Sequence, residues 1–267
     1  MKRQLTLLCV ATQFLTRLPV PALPHFESRW LADSARYFPV VGALVGVLNA
    51  LFWVGLVHVL PSTVAVGVML GLSLLLTGAF HEDGFADACD GFGGGTTREQ
   101  VLAIMKDSRL GAYGAMGLIV LLGLKWAVLV AMPARALPLL LVSAHMWSRW
   151  CAIGLIWRLT YVRSEDAAAK SKPLADRLSG RGWLLSGALG LLALVPVAAV
   201  ASAFGYPLEL RPLLGAALAA AAAACLVGIY CRQRIGGYTG DCLGAAQQLA
   251  ELVFLLTGLA LVSPSRV

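Results

Sequence analysis

Trp183-Leu184-Leu185-Ser186-Gly187-Ala188-Leu189-Gly190-Leu191-Leu192-Ala193-Leu194-Val195-Pro196-Val197-Ala198-Ala199-Val200 carries no ionisable side chain and no apolar–polar alternation. Extended to residue 204, the stretch reaches the length of about 20 apolar residues that a helix needs to cross the hydrocarbon core of a bilayer. In lipid every backbone N–H and C=O must be paired within its own segment or within a closed barrel. A continuous apolar run without a period of two selects the helix. Six further stretches read the same way: 40–60, 62–80, 111–132, 136–157, 212–230 and 244–262. The turns at Pro61-Ser62, at Pro133-Ala134-Arg135 and from Tyr206 to Pro212 are short, and the other three connections are long and polar.

Composition agrees. The chain is 59% hydrophobic and 13% charged, against averages of about 45–50% and 25% in soluble domains, so lipid must cover the excess. The fold class is therefore all-α: a single polytopic membrane helix bundle over residues 1–267, with about seven transmembrane helices plus short interfacial helices. The N-terminus starts Met-Lys-Arg and is apolar from Leu5 to Leu15, like a signal peptide. Thr16-Arg17-Leu18-Pro19-Val20-Pro21 offers no small-x-small cleavage site, so the segment reads as an interfacial or half-inserted helix that stays attached.

Lys and Arg fix the expected orientation. With the N-terminus inside, the inner segments hold sixteen of them: Lys2, Arg3, Arg17, Arg29, Arg36, Arg98, Lys106, Arg109, Arg158, Arg163, Lys170, Lys172, Arg177, Arg181, Arg232 and Arg234. The outer segments hold three, Arg135, Arg211 and Arg266, while Lys125 and Arg149 lie within spans. Positive charge gathers on the cytoplasmic side, which predicts the N-terminus in and the C-terminus out. The polar glycine-bearing segments at 36–42, 81–114 and 232–244 then share the cytoplasmic face.

The net charge of +7 has two readings, the ordinary basic excess of that face and attraction of phosphorylated substrates. No basic run or motif points to nucleic acid. Cys9, Cys89, Cys151, Cys225, Cys231 and Cys242 form no C-x-x-C pair and the four histidines show no zinc spacing, so neither a disulfide framework nor a structural zinc site is expected.

The most specific stretch is His81-Glu82-Asp83-Gly84-Phe85-Ala86-Asp87-Ala88-Cys89-Asp90-Gly91. If the second span continues as a helix through it, Asp83, Asp87 and Asp90 fall within an arc of roughly 60°. Glu82 lies about 100° to the side and could complete a shell. Three like charges on one face call for a cation, and oxygen-only ligands suit Mg²⁺ or Mn²⁺. A solvated acidic helix end is the plainer alternative, and acids at a helix C-terminus would oppose the dipole. Gly84 would let substrate approach the backbone, and His81 is either a packing or a site residue.

Beyond the glycine loop 91–95, Thr96 and Glu99 have capping-box spacing for a short helix with Val101, Ile104 and Met105 on one face. It delivers Lys106 and Arg109, which as i, i+3 neighbours could grip a phosphate or merely anchor the segment to the membrane. Asp241, after Gly236-Gly237-Tyr238-Thr239-Gly240, is either a helix cap or a site residue. Glu251 lies within the last span, where an ionisable residue is a functional candidate, with Arg149 as its expected partner and His145 one turn from Arg149. Clustered acids, nearby cations and glycine loops together suit phosphoryl transfer.

Phe14-Leu15-Thr16-Arg17-Leu18-Pro19-Val20-Pro21, Phe38-Pro39-Val40-Val41-Gly42, the stretch from His81 to Gly95, Lys106-Asp107-Ser108-Arg109-Leu110-Gly111-Ala112-Tyr113-Gly114 and Gly240-Asp241 follow one another in an order that resembles the cobalamin synthases, or adenosylcobinamide-GDP ribazoletransferases. The resemblance covers nearly the whole chain. It implies a multi-pass protein of the bacterial inner membrane. The implied reaction joins adenosylcobinamide-GDP to α-ribazole, or its 5′-phosphate, and releases GMP with Mg²⁺ as cofactor. It further implies that Glu82, Asp83, Asp87 and Asp90 hold the metal, that Asp83, Asp87 and Asp241 are catalytic, and that Lys106, Arg109, Gly84 and His81 meet substrate. Partners would be these substrates and the bilayer, with no nucleic acid; an oligomer is compatible with it. Two alternatives fit less well. A CDP-alcohol phosphotransferase would need D-G-x-x-A-R, where Asp87 and Ala88 stand instead. An ion-coupled transporter would place its carboxylates near the midplane.

Overall fold

The structure, a computed structural model, describes residues 2–21, 27–162, 178–205 and 209–262. Arg163, Lys170, Lys172, Arg177 and Arg266, which enter the orientation argument, lie outside the described residues. Among the described residues eleven α-helices follow in order: α1 Lys2–Leu15, α2 Ser28–Ser34, α3 Phe38–Leu56, α4 Ser62–Thr77, α5 Phe80–Gly94, α6 Arg98–Lys106, α7 Ala112–Ala131, α8 Leu137–Arg158, α9 Gly180–Ala203, α10 Leu210–Ile235 and α11 Gly240–Leu261. A 3₁₀ turn, Ala35–Tyr37, joins α2 to α3. The all-α membrane bundle expected from the sequence is what forms.

Among the described residues six stretches are long and apolar enough to cross a bilayer: Arg29–Leu56, α7, α8, α9, α10 and α11. A seventh crossing exists only if α4 and α5 are counted together, and these are bent by 90°. This corrects the expectation that the second span runs on as one helix into the carboxylates. The chain breaks because Gly78 and Ala79 both take left-handed conformations, φ 65° and 54°. Arg17 occupies the space at Gly78: a Cβ there would lie 2.5 Å from Arg17 Nε. The Arg17 N–H also donates to the Leu76 carbonyl at 2.7 Å, satisfying one of the acceptors orphaned where α4 stops. A non-glycine residue in that conformation costs about 1–2 kcal/mol, which this tether must offset.

α8 is the central column. Fully 83% of its apolar window is buried within the protein, against 17% for α9 at the rim. α3 closes on α8 through Gly42 and Gly46, where a Cβ on Gly46 would come within 2.5 Å of Val142 Cα. α9 is held to α8 by stacked indoles, Trp150 on Trp183 at 4.3 Å and Trp157 on Trp183 at 4.9 Å.

The amphipathic α1 buries Leu7, Val10, Ala11 and Leu15. Its 14 residues extend only about 21 Å, too short to span and consistent with an interfacial or half-inserted helix. The glycine-bearing polar segments gather at one end of the bundle. Tyr238 and residues 160–162 pair there through Tyr238 N–H to Thr160 O and Val162 N–H to Tyr238 O, and Arg234 donates to Gly95 O at 2.7 Å.

Gly46→Leu should therefore wedge α3 from α8 and cost about 1–3 kcal/mol, read as a drop of several degrees in the thermal-unfolding midpoint of the purified protein. Gly55→Leu, where a Cβ meets nothing within 4 Å, should leave the midpoint within a degree or two. Equal midpoints for the two variants would contradict this packing.

Candidate active site

α5 begins at Phe80, immediately after the bend, so Glu82 and Asp83 stand in its first turn. There they meet the positive end of the helix dipole. The expectation of acids opposing the dipole at a helix C-terminus is corrected by the bend alone. Asp83, Asp87 and Asp90 do lie on one helix at i, i+4 and i+7, but their surroundings differ: Asp83 is exposed, Asp87 half-buried and Asp90 buried.

Asp90 faces the start of α7. Its Oδ2 accepts from Gly111 N–H at 2.7 Å and its Oδ1 from Gly114 N–H at 2.8 Å. It thus satisfies two of the amide donors that a helix N-terminus leaves open, acting as a cap supplied by another helix. A side chain on Gly114 would strike that carboxylate. Glu82 faces the bundle interior, where its Oε1 accepts from Gln248 Nε2 at 2.9 Å and its Oε2 is buried without a partner. The four carboxylates Glu82, Asp83, Asp87 and Asp90 therefore do not close into one shell. Among the described residues no three His, Cys, Asp or Glu side chains lie close enough to hold a metal ion.

Asp83 and Asp87 stand one turn apart on α5, and Gly84, between them in sequence, faces the Asp241 backbone. α5 and α11 cross at a pair of glycines. A Cβ on Gly84 would lie 3.2 Å from Asp241 Cα and 3.4 Å from Gly244 Cα, and one on Gly244 would lie 2.9 Å from His81 O. Gly84 is therefore bare to admit α11, rather than to expose backbone to substrate. Asp241 is not the helix cap either: Thr239 caps α11, its Oγ1 accepting from Cys242 N–H at 3.3 Å. Asp241 stands in the first turn, with its Oδ2 at 3.2 Å from the Thr239 hydroxyl.

The phosphate pair is rearranged. α6 is capped by Thr97 and Gln100, one residue later than Thr96 and Glu99 suggested. Val101 and Met105 are its buried face, with Ile104 half-buried. The helix stops at Lys106, with Asp107 extended, so Lys106 and Arg109 are not neighbours on one helix. Arg109 folds back on Asp107, with Nε–Oδ1 at 3.0 Å and NH2–Oδ2 at 2.5 Å. That guanidinium pulls the Asp107 carboxyl down to about 2, so the pair stays ionised through neutral pH. Both lie in the loop that leads from α6 into the α7 start gripped by Asp90. His81 is buried, its ring edge-on to Phe80 at 5.3 Å.

Deeper in the bundle lies a polar cluster that sequence reasoning saw only in part. Glu251 Oε1 takes Lys125 Nζ at 2.6 Å, and Oε2 faces His145 Nδ1 at 3.0 Å and Gln247 Nε2 at 2.6 Å. Arg149, the expected partner, stands 4.0 Å away. Lys125 also donates to Gln248 Oε1 at 2.5 Å, and Gln248 in turn holds Glu82. A chain of contacts thus runs from α7 and α11 to the first turn of α5. Lys125 is an ionisable residue inside an apolar run, and that signal alone could have marked it.

Comparison with known proteins adds independent support. The cobalamin-5-phosphate synthase family model matches residues 7–260. The chain belongs to the cobalamin-5-phosphate synthase family. It is 46% identical to the adenosylcobinamide-GDP ribazoletransferase of Leptothrix cholodnii, covering 94% of each chain. It is 44% identical to that of Ralstonia pickettii over 96% of each, and 43% to that of Shewanella frigidimarina over 97% of each. No solved structure matches this cobalamin-5-phosphate synthase family member.

Asp90→Ala should strand the Gly111 and Gly114 amides and cost about 1–3 kcal/mol, lowering the unfolding midpoint by several degrees. Asp83→Asn should leave the midpoint unchanged, because that side chain is exposed. A stable Asp90→Ala protein would contradict the capping role.

Proposed function

We propose that this chain performs the transfer for which its relatives are named, joining adenosylcobinamide-GDP to α-ribazole or its 5′-phosphate and releasing GMP. The observation that supports the mechanism is the α5–α11 crossing, where Gly84, between Asp83 and Asp87 in sequence, packs against the Asp241 backbone.

The chemistry is a displacement at phosphorus. A ribose hydroxyl oxygen of α-ribazole bonds to the cobinamide-side phosphorus of the pyrophosphate. The bond from that phosphorus to the bridging oxygen breaks, and GMP leaves with the oxygen. The hydroxyl proton passes to a carboxylate, and Asp241, whose backbone packs against Gly84, is the candidate to take it. Lys106 and Arg109, at the edge of the same end, supply positive charge to the phosphates.

Mg²⁺ fits a reduced version of the expected site. It is commonly held by one or two carboxylates, the rest of its shell being water and substrate phosphate. Asp83 and Asp87, one turn apart on α5, would give such an oxygen-only pair; Glu82 accepts from Gln248 and Asp90 from the α7 amides. Bound there, the ion would offset charge on the pyrophosphate. The excess of Lys and Arg in segments at this end supports a cytoplasmic site with the N-terminus inside, in a bacterial inner membrane.

Purified protein given both substrates and Mg²⁺ should release GMP, and EDTA should stop the release until Mg²⁺ is restored. Asp83→Asn should lower turnover by about 10²–10⁴-fold, while Glu82→Gln loses much less. Near-wild-type turnover by Asp83→Asn would remove this carboxylate from the mechanism.

A further inference from the structure

Resting on the transferase reading, we propose that a crevice between α1, α3, α5, α8 and α11 seats the flat base of the acceptor nucleoside, with Arg149 donating to the base's free ring nitrogen. Its walls are the rings of Phe14, Phe38 and Phe80. Phe14 stacks on Phe38 at 5.7 Å and meets Phe80 edge-on at 5.1 Å. On the α11 side stand Gly240 and Gly244, which present no side chain. Apart from His81 and Arg149, every side chain lining it is apolar.

The polar exception carries the argument. Arg149 is 3% exposed, and its Nε–H is buried with no acceptor among the described residues. One terminal nitrogen is already used, NH1 donating to His145 O at 2.9 Å. A buried charged donor left open is costly unless a ligand completes it. α-Ribazole carries a dimethylbenzimidazole: a flat apolar bicycle whose two methyl groups suit ring walls, and whose one free ring nitrogen accepts a single hydrogen bond. Guanine and the adenine of the adenosyl group, the other bases present in the reaction, have several donors and acceptors on their edges, which these carbon walls would leave unpaired. Position agrees as well. Gly240 adjoins Asp241, and Phe80 lies one helical turn before Asp83 and Gly84, so a base seated here would direct its ribose toward the carboxylates.

The crevice is nearly closed, with about 30 Å³ of free space, which is room for a water or two. A ring enters only if Phe14, next to the last residue of α1, swings aside. Rotation of the Phe14 side chain, with α1 kept in place by its buried Leu7, Val10, Ala11 and Leu15, would open the mouth and let the ring re-stack on the base.

The test measures KM separately for each substrate in the purified full-length protein. Phe14→Trp, which fills the mouth, should raise the KM for α-ribazole about tenfold while leaving that for cobinamide-GDP unchanged. Independently of any variant, an α-ribazole analogue with CH in place of the free ring nitrogen should show a KM about tenfold higher with wild-type protein. That penalty should disappear in Arg149→Lys, which keeps the charge and lacks the Nε–H. Normal wild-type turnover, with the analogue accepted as well as α-ribazole, would overturn the subsite and leave the transferase reading intact. So would Phe14→Trp raising both KM values alike. Absence of GMP release by the wild-type protein would overturn the transferase reading itself, and the subsite with it.

Discussion

The quarter-turn at Gly78–Ala79 is the constraint on which the rest of this structure depends. α4 has 16 residues and would run only about 24 Å, short of the roughly 30 Å hydrocarbon core. Continuing straight would have carried Glu82 and Asp83 into or across lipid as the C-terminal end of a span. Turning there makes them the first turn of a new helix instead, with the dipole in their favour. Arg17, arriving from α1, occupies the outside of the turn. The short N-terminal helix thus contributes to the site through the bend it stabilises, besides packing its own Phe14 against Phe80.

Acids that look equivalent in sequence divide into two kinds of work. Asp90 and Glu82 are fastened to protein, one to the α7 amides and one to Gln248. They hold α5 at both ends of its acidic turn. Asp83 and Asp87 stand one turn apart between those two anchors, and the glycines Gly84 and Gly244 let α11 bring the Asp241 backbone close to α5. Beneath them the Lys125–Glu251 pair is buried, with side chains 4% and 5% exposed. Such a pair contributes little net stability once desolvation is counted, yet breaking it by removing one partner is expensive. Its physical consequence is registration: α5, α7, α8 and α11 are mutually located by polar contacts that tolerate no sliding.

Much of this was legible beforehand for a simple reason. Apolar runs are long-range signals averaged over many residues, so span positions such as 112–131 and 137–158 fall within a residue or two of those read from sequence. The bend was hidden because it rests on one glycine and on Ala79, whose φ of 54° no propensity would assign. The capping register slipped by one because Thr96 and Thr97 are adjacent, and Gln100 rather than Glu99 closes the box. The partners of Glu82 and Asp90 were invisible because they are Gln248 and two backbone amides, 166 and 21 to 24 residues away. Periodicity correctly put three aspartates on one face, but it carries no information about what stands opposite that face.

On the proposed mechanism a two-carboxylate site, Asp83 with Asp87, receives the divalent ion together with substrate phosphate. Mn²⁺ binding to purified protein, followed by electron paramagnetic resonance in the presence of cobinamide-GDP, tests it without requiring turnover. A double Asp83→Asn, Asp87→Asn variant should lose the bound-Mn²⁺ signal while Glu82→Gln retains it. Retention in the double variant, or loss on changing Glu82 alone, would contradict the claim.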